Sequence, residues 1–117
     1  MIDRGQSRGI KQTITQVGTD TSSGAINVAG WDWCDTLLEL TTGTGDCVFK
    51  FQVSYENGGQ KYDLEVGGAV AITETATGHY AYRLELGAAS ELYMTATAIG
   101  TYDIDGAFYP FNRGGSS

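Results

Sequence analysis

Apolar and polar residues alternate strictly through the middle of the chain. Cys47, Phe49, Phe51, Val53 and Tyr55 fall on one side, and Val48, Lys50, Gln52, Ser54 and Glu56 on the other. A period of two is what a strand needs to bury one face and wet the other. Asn57-Gly58 follows, a strong two-residue hairpin signal, and 62–66 returns as a second arm. The segment 46–66 therefore predicts a β-hairpin joined at Asn57-Gly58. Its inward set, Cys47 to Tyr55 and Tyr62 to Val66, belongs to the core. Its outward set (Lys50, Gln52, Ser54, Glu56, Lys61, Asp63 and Glu65) makes a mixed-charge, soluble face.

The same pattern predicts further strands. The first is 10–17, where the alternation is imperfect with Ile10 and Ile14 on one side, followed by 25–29, 36–41 and 69–75. Next come 79–86, with Tyr80, Tyr82, Leu84 and Leu86 on one face, and 91–99, with Leu92, Met94, Ala96 and Ala98 on one face; the last is 102–108. Gly- and Ser-rich turns separate them, and no segment has helical periodicity. About eight short strands at intervals of roughly 8 to 12 residues predict an all-β fold, an antiparallel β-sandwich that is jelly-roll-like. The domain reading is a flexible basic arm at 1–9, a single sandwich domain at 10–111 and a flexible tail at 112–117.

Composition agrees with that class. The chain has 117 residues, 17 of them Gly and only one Pro, Pro110, which suits tight turns between strands better than helices. One domain of this length buries about two thirds of the surface its unfolded chain exposes, so it needs no metal or disulfide to fold. Cys34 and Cys47 are read as two small buried hydrophobes, with a disulfide as the other reading. His79 is the only histidine and no Cys-x-x-Cys spacing occurs, so no zinc site, other metal or cofactor is implied. The first residues lack the apolar block of a signal peptide, and no run of about 18 apolar residues could span a bilayer. A soluble chain made in the cytosol, without a membrane partner, is expected.

Charge is uneven. Up to Lys11 the balance is +2, with Arg4, Arg8 and Lys11 against Asp3, whereas the remainder carries −9. An acidic body cannot neutralise a polyanion, which excludes nucleic acid as a partner. The basic arm is suited to an acidic protein surface, becoming ordered against a neighbour. Catalysis finds no foothold: alternation places His79 with Ala81, Arg83 and Glu85 on the solvent side of its strand, and no nucleophile accompanies it in sequence. The chain is expected not to be an enzyme. Trp31 and Trp33, two apart, would project from one side of an extended segment, where they either pack into the core or stack on sugar rings as in a carbohydrate-binding module or a fibre domain. Asp103-Ile104-Asp105-Gly106 has alternate carboxylates before a glycine but lacks the remaining ligands of a calcium loop. Ala- and Thr-rich stretches at 69–73 and 95–98 suggest closely packing surfaces and hence assembly. The aromatic run Phe108-Tyr109-Pro110-Phe111 either covers the end of its own barrel or anchors to a neighbour.

This combination, a compact acidic all-β chain rich in Gly and Thr with a basic arm and an aromatic-to-Gly-Ser end, resembles small structural proteins of tailed-phage virions, in particular capsid decoration (cement) proteins. The resemblance implies a non-enzymatic subunit of the virion, made in the host cytoplasm and often trimeric. Such a subunit seats on the major capsid protein or another virion protein and stabilises the shell by several modest contacts acting together. Arg4, Arg8, Lys11, Tyr109 and Phe111 are the expected partner contacts.

Overall fold

Strand alternation dictates which faces meet. The computed structural model describes residues 7–14 and 23–112. Among them it contains β1 (Ser7–Arg8), β2 (Gln12–Ile14), β3 (Ile26–Asn27), β4 (Trp33–Thr41), β5 (Cys47–Ser54), β6 (Lys61–Leu64), β7 (Ile72–Glu74), β8 (Gly78–Glu85), β9 (Glu91–Ala98) and β10 (Asp103–Asn112). All pairings are antiparallel. Sheet 1 runs β1–β10–β4–β8, with β2 also on the outer edge of β10; sheet 2 runs β3–β9–β5–β6, with β7 also on β5.

Because β1 and β2 share one edge of β10, and β6 and β7 share one edge of β5, ten segments occupy eight strand positions. Numbered along the chain, those positions lie in the order 1-8-3-6 in sheet 1 and 2-7-4-5 in sheet 2. That is a jelly roll: the chain crosses between sheets at every connection except the hairpin of positions four and five. The fold is thus the all-β sandwich the alternation predicts.

Every second residue of the long strands is buried between the sheets. Cys34, Thr36, Leu38 and Leu40 come from β4, and Leu84 from β8. Opposite them lie Cys47, Phe49, Phe51 and Val53 from β5 and Leu92, Met94 and Ala96 from β9. Phe49, Phe51 and Tyr82 pack ring against ring across the gap, with centroids 5.7 to 6.1 Å apart. The Tyr82 hydroxyl donates to the Glu74 carboxylate on β7 and so reaches from one sheet to the other.

Several local expectations change. The hairpin of β5 and β6 forms, but Ser54 pairs with Lys61, leaving a six-residue connection in place of a two-residue turn. Asn57-Gly58 sits inside it, where the Gly59 N–H donates to the Glu56 carbonyl at 2.9 Å and Gly58 has φ +71°. Tyr55 and Tyr62 keep each other company at 5.7 Å but are half exposed, because Tyr55 follows the end of β5 and Tyr62 lies on the edge strand β6. The two-residue turn with both φ positive is Gly67-Gly68, bridging Val66 and Ala69. Its presence shortens the strand expected at 69–75 to Ile72–Glu74. Ile10, expected in a strand, lies between β1 and β2 and is 84% exposed. Residues 15–17 of that expected strand lie outside the described residues.

The largest correction concerns the aromatic run. It does not follow the last strand; β10 continues through it to Asn112. Pro110 is tolerated mid-strand because its carbonyl accepts from the Gly9 N–H at 2.8 Å. Its missing N–H therefore faces that same edge, at the break between β1 and β2, so the β4 ladder loses nothing.

Cys34 and Cys47 are free thiols, fully buried in opposite sheets. Burial pushes each up to about 11, Cys34 despite its contact with Thr36. A buried thiol with that titration is inert. In the native protein neither cysteine should react with a thiol-specific disulfide reagent at pH 8 faster than the chain unfolds, while denaturant should release both. Rapid modification of native protein would show that one of them is open to solvent.

Candidate functional site

The two outer faces of the sandwich differ in kind. On sheet 2 the outward residues satisfy one another. Asp63 accepts from Lys50 at 3.1 Å and from Gln52 at 3.0 Å, and these bonds hold its carboxyl below the usual range. Glu91 accepts from Tyr93 at 2.7 Å and from the Gly58 N–H at 3.0 Å, and is likewise lowered. The Lys61 ammonium sits 4.1 Å over the Tyr93 ring. This is the mixed-charge face that the sequence predicts, except that Ser54 is fully buried, its hydroxyl donating to the Glu56 carbonyl.

The outer face of sheet 1 is built from odd-numbered residues in register across three long strands. Phe111, Trp33 and Glu85 form one row; Tyr109, Asp35 and Arg83 the next; then Ala107, Leu37 and Ala81; then Asp105, Glu39 and His79. At the first end Trp33 stacks on Phe111 at 6.5 Å and 25°. Arg83 reaches across β4, donating to both Asp35 oxygens at 2.7 and 2.9 Å, with its guanidinium 5.0 Å from the Phe111 ring. The paired carboxylate raises the Arg83 titration further. Lys11 lies over the Tyr109 ring at 5.7 Å.

Beyond this end the face opens. Small side chains at Ala81, Ala107 and Gly106, bordered by Thr13 and Ile14 of β2 and by Tyr80, leave a groove of about 470 Å³. Leu37 lies in it, 44% exposed. Glu39 and His79 close the far side, with His79 Nε2 3.0 Å from a Glu39 oxygen and the imidazole in solvent. Asp105 joins them on the third strand. Chemically it is an apolar floor with a polar rim, and a solvent-exposed histidine–carboxylate pair with no serine or cysteine lining the groove. Among the described residues no group of three or more His, Cys, Asp or Glu could hold a metal ion.

The residues singled out from sequence are scattered over this frame. Phe111 is 1% exposed, covered by Trp33 and Arg83, so its ring packs within the chain. Tyr109 and Lys11 lie together at the rim of the sheet 1 face. Arg8 is in β1, its backbone paired with Phe111, so residues 7 and 8 of the expected arm are laid against β10. Arg4 lies outside the described residues. Trp31 and Trp33 are not brought together. Trp31 packs beside Gly9 and Pro110, where a Cβ added to Gly9 would meet the Pro110 ring at 2.8 Å and the Trp31 indole at 3.0 Å. Trp33 packs on Phe111. Residues 110 and 111 point to opposite sides of β10, and so do the two indoles. The stretch 95–98 also divides, with Ala96 in the core and Thr95 and Thr97 facing out. The sequence marks Leu37 as outward, in phase with Asp35 and Glu39, but nothing local to it tells whether another strand or layer covers it.

No protein-family model matches this chain, and no curated protein matches it. Among solved structures, its fold is similar to that of YomS, a protein derived from the SPBc2 prophage, with a TM-score of 0.62 and 11% identity over 96% of this chain and 99% of that one. It is also similar to a structure of Bacillus endospore appendages described as disulfide-linked pili, with a TM-score of 0.51 and 15% identity over 96% of this chain and 92% of that one. The CBM22-1 xylan-binding domain of Paenibacillus barcinonensis Xyn10C reaches a TM-score of 0.38 at 13% identity, over 97% of this chain and 88% of that one, too low to carry an argument. At these identities the likeness is one of fold: this chain shares its sandwich architecture with the prophage protein and the appendage subunit.

Proposed function

We propose that this chain is a non-enzymatic structural protein of a phage particle, a decoration-type subunit that binds the major capsid protein or another virion protein through the outer face of sheet 1. The observation that carries this reading is the contrast between the two outer faces. Sheet 2 is covered by side chains bonded to one another, whereas sheet 1 leaves Leu37 and small neighbours open in a groove. An apolar floor inside a polar rim is how contact surfaces are arranged. Lys11, over the Tyr109 ring and one row along β10 from Ala107, would add a cationic and an aromatic contact beside the groove. The fold shared with a prophage-derived protein supports the same setting. A sugar-stacking platform is not supported, because Trp31 and Trp33 diverge. Among the described residues no helix is long and apolar enough to cross a membrane.

The test is attachment. Gradient-purified particles from the culture that encodes the chain should contain it by mass spectrometry. Leu37→Asp protein, added to particles lacking the subunit, should be retained about 10- to 100-fold less, since burying one leucine contributes about 1.5–3 kcal/mol. Its melting temperature should hardly move, because position 37 faces outward. Particles devoid of the wild-type chain would overturn the proposal.

A further inference from the structure

An edge strand offers a row of unpaired N–H and C=O groups to any other strand, and proteins that stay monomeric blunt such edges with breaks, bulges, proline or inward charge. Among the described residues three of the four edges are blunted. The β1 and β2 edge is interrupted at residues 9–11, β3 has two residues, and β6 and β7 have four and three. The fourth, β8, runs eight residues from Gly78 to Glu85 in unbroken register with β4. It has no proline, its inward residues Tyr80, Tyr82 and Leu84 are uncharged, and among the described residues no strand pairs with its outer side.

The ladder determines which of its backbone groups are free. The Leu86 N–H donates to the Asp32 carbonyl at 2.9 Å, so even-numbered residues of β8 turn their backbone groups to β4. Odd-numbered residues, His79, Ala81, Arg83 and Glu85, turn theirs outward.

We propose that β8 pairs with β8 of a second copy of this chain about a two-fold axis at Tyr82, joining two first sheets into one. The side chains select that register. Centred on Tyr82, the strand places His79 opposite Glu85 of the second copy twice, Ala81 opposite Arg83 twice, and Tyr80 opposite Leu84 twice. His79 has Nε2 engaged by Glu39, leaving Nδ1 to meet the Glu85 carboxylate. Arg83 is already neutralised by Asp35 and meets only the methyl group of Ala81. Moving the axis to Ala81 loses both His79–Glu85 pairs, and moving it to Arg83 sets the two Arg83 side chains against each other; like charges directly opposite are disfavoured. The four outward residues of each copy form hydrogen-bonded pairs, two bonds to a pair, about eight in all. The same surface on both subunits makes the contact self-complementary and closed. It sets two sheet 1 faces side by side, which would add avidity to any shell contact, but it does not depend on the virion reading.

Light scattering on the purified chain should give twice the 12.5 kDa chain mass at about 100 µM. Ala81→Pro removes an outward N–H without touching the β4 ladder, and should raise the dissociation constant at least about 100-fold, to a folded monomer, through lost interchain bonds. Ala81→Val, which keeps the N–H, should remain a dimer. In the unaltered protein the Ala81 and Arg83 amides should exchange slowly when concentrated and quickly on dilution, while the Tyr82 amide stays protected throughout. A monomer or trimer mass, a dimer that survives Ala81→Pro, or concentration-independent exchange at Ala81 and Arg83 would each overturn the pairing. Particle binding by a strictly monomeric chain would overturn it while leaving the virion proposal intact.

Discussion

Phe51→Ala is expected to lower stability by about 3–5 kcal/mol, the usual cost of truncating a buried phenylalanine. Phe51 is fully buried at the centre of β5, flanked by Met94 of β9 and Leu64 of β6. It contacts Phe49 edge-on at 82° and lies 6.1 Å from Tyr82 of the opposite sheet. Its neighbours belong to a two-sheet frame held by long strands, so they cannot close over the space left behind. Domains of this size have a total stability of about 5–15 kcal/mol, and the variant should unfold early. In urea, with a slope of about 1–3 kcal/mol per molar, the midpoint should fall by more than about 1 M. Tyr55→Ala, at a half-exposed position on the same alternation, should lose far less. Equal losses at the two positions would mean that the core is not where the structure puts it.

Gly100→Ala should be nearly as damaging for a different reason. Gly100 has φ +56°, and a Cβ there would lie 2.4 Å from the Thr44 carbonyl oxygen, a backbone atom that cannot swing away. The loop after β4 and the loop after β9 are laced together at this point. The Thr101 N–H donates to the Thr44 carbonyl at 3.1 Å, the Thr44 N–H to the Thr101 hydroxyl at 2.9 Å, and the Tyr102 hydroxyl to the Gly45 carbonyl at 2.8 Å. Left-handed strain of about 1–2 kcal/mol and the forced displacement of packed atoms, about 1–3 kcal/mol, together predict a loss of about 2–5 kcal/mol. Gly87→Ala is the control. Gly87 has a similar φ of +62° but nothing within 4 Å of an added Cβ, so it incurs the strain alone. Urea midpoints of the two variants, with hydrogen exchange at the Thr44 and Thr101 amides, separate the contributions. If Gly100→Ala were no worse than Gly87→Ala, the close approach of the two loops would be refuted.

Much of the sandwich was legible because the signal is local. Strand β5 alternates through Val53, and Phe49, Phe51, Leu84, Leu92, Met94 and Ala96 are buried as the alternation of β5, β8 and β9 predicts, while Tyr80, Tyr82 and Ala98 are only partly covered and β9 also buries Tyr93. Turn chemistry was half legible. Glycines mark where the chain reverses, but Asn57-Gly58 looked like the tighter turn and Gly67-Gly68 proved to be it. Loop length follows from register with the partner strand, which lies outside any short window. The aromatic run was misplaced for a related reason: Pro110 reads as a strand terminator, and it is permitted only because the gap between β1 and β2 falls beside it.

The groove on sheet 1 was the least legible part. Leu37, Ala81 and Ala107 lie on three strands far apart in sequence and become neighbours only through the pairings of β4 with β10 and β8. Trp31 and Trp33 were misjudged as a pair because spacing gives direction only while a strand continues, and β4 begins at Trp33. The sequence alone determined the all-β class, the inward set of the long strands and the buried state of both cysteines, since each follows from local alternation and apolar burial. Tertiary structure decided the rest: which strands become neighbours, which edge stays open at β8, and which apolar side chain is left in water at Leu37. Those depend on long-range pairing, where residues meet by topology and their own spacing along the chain carries no trace of it.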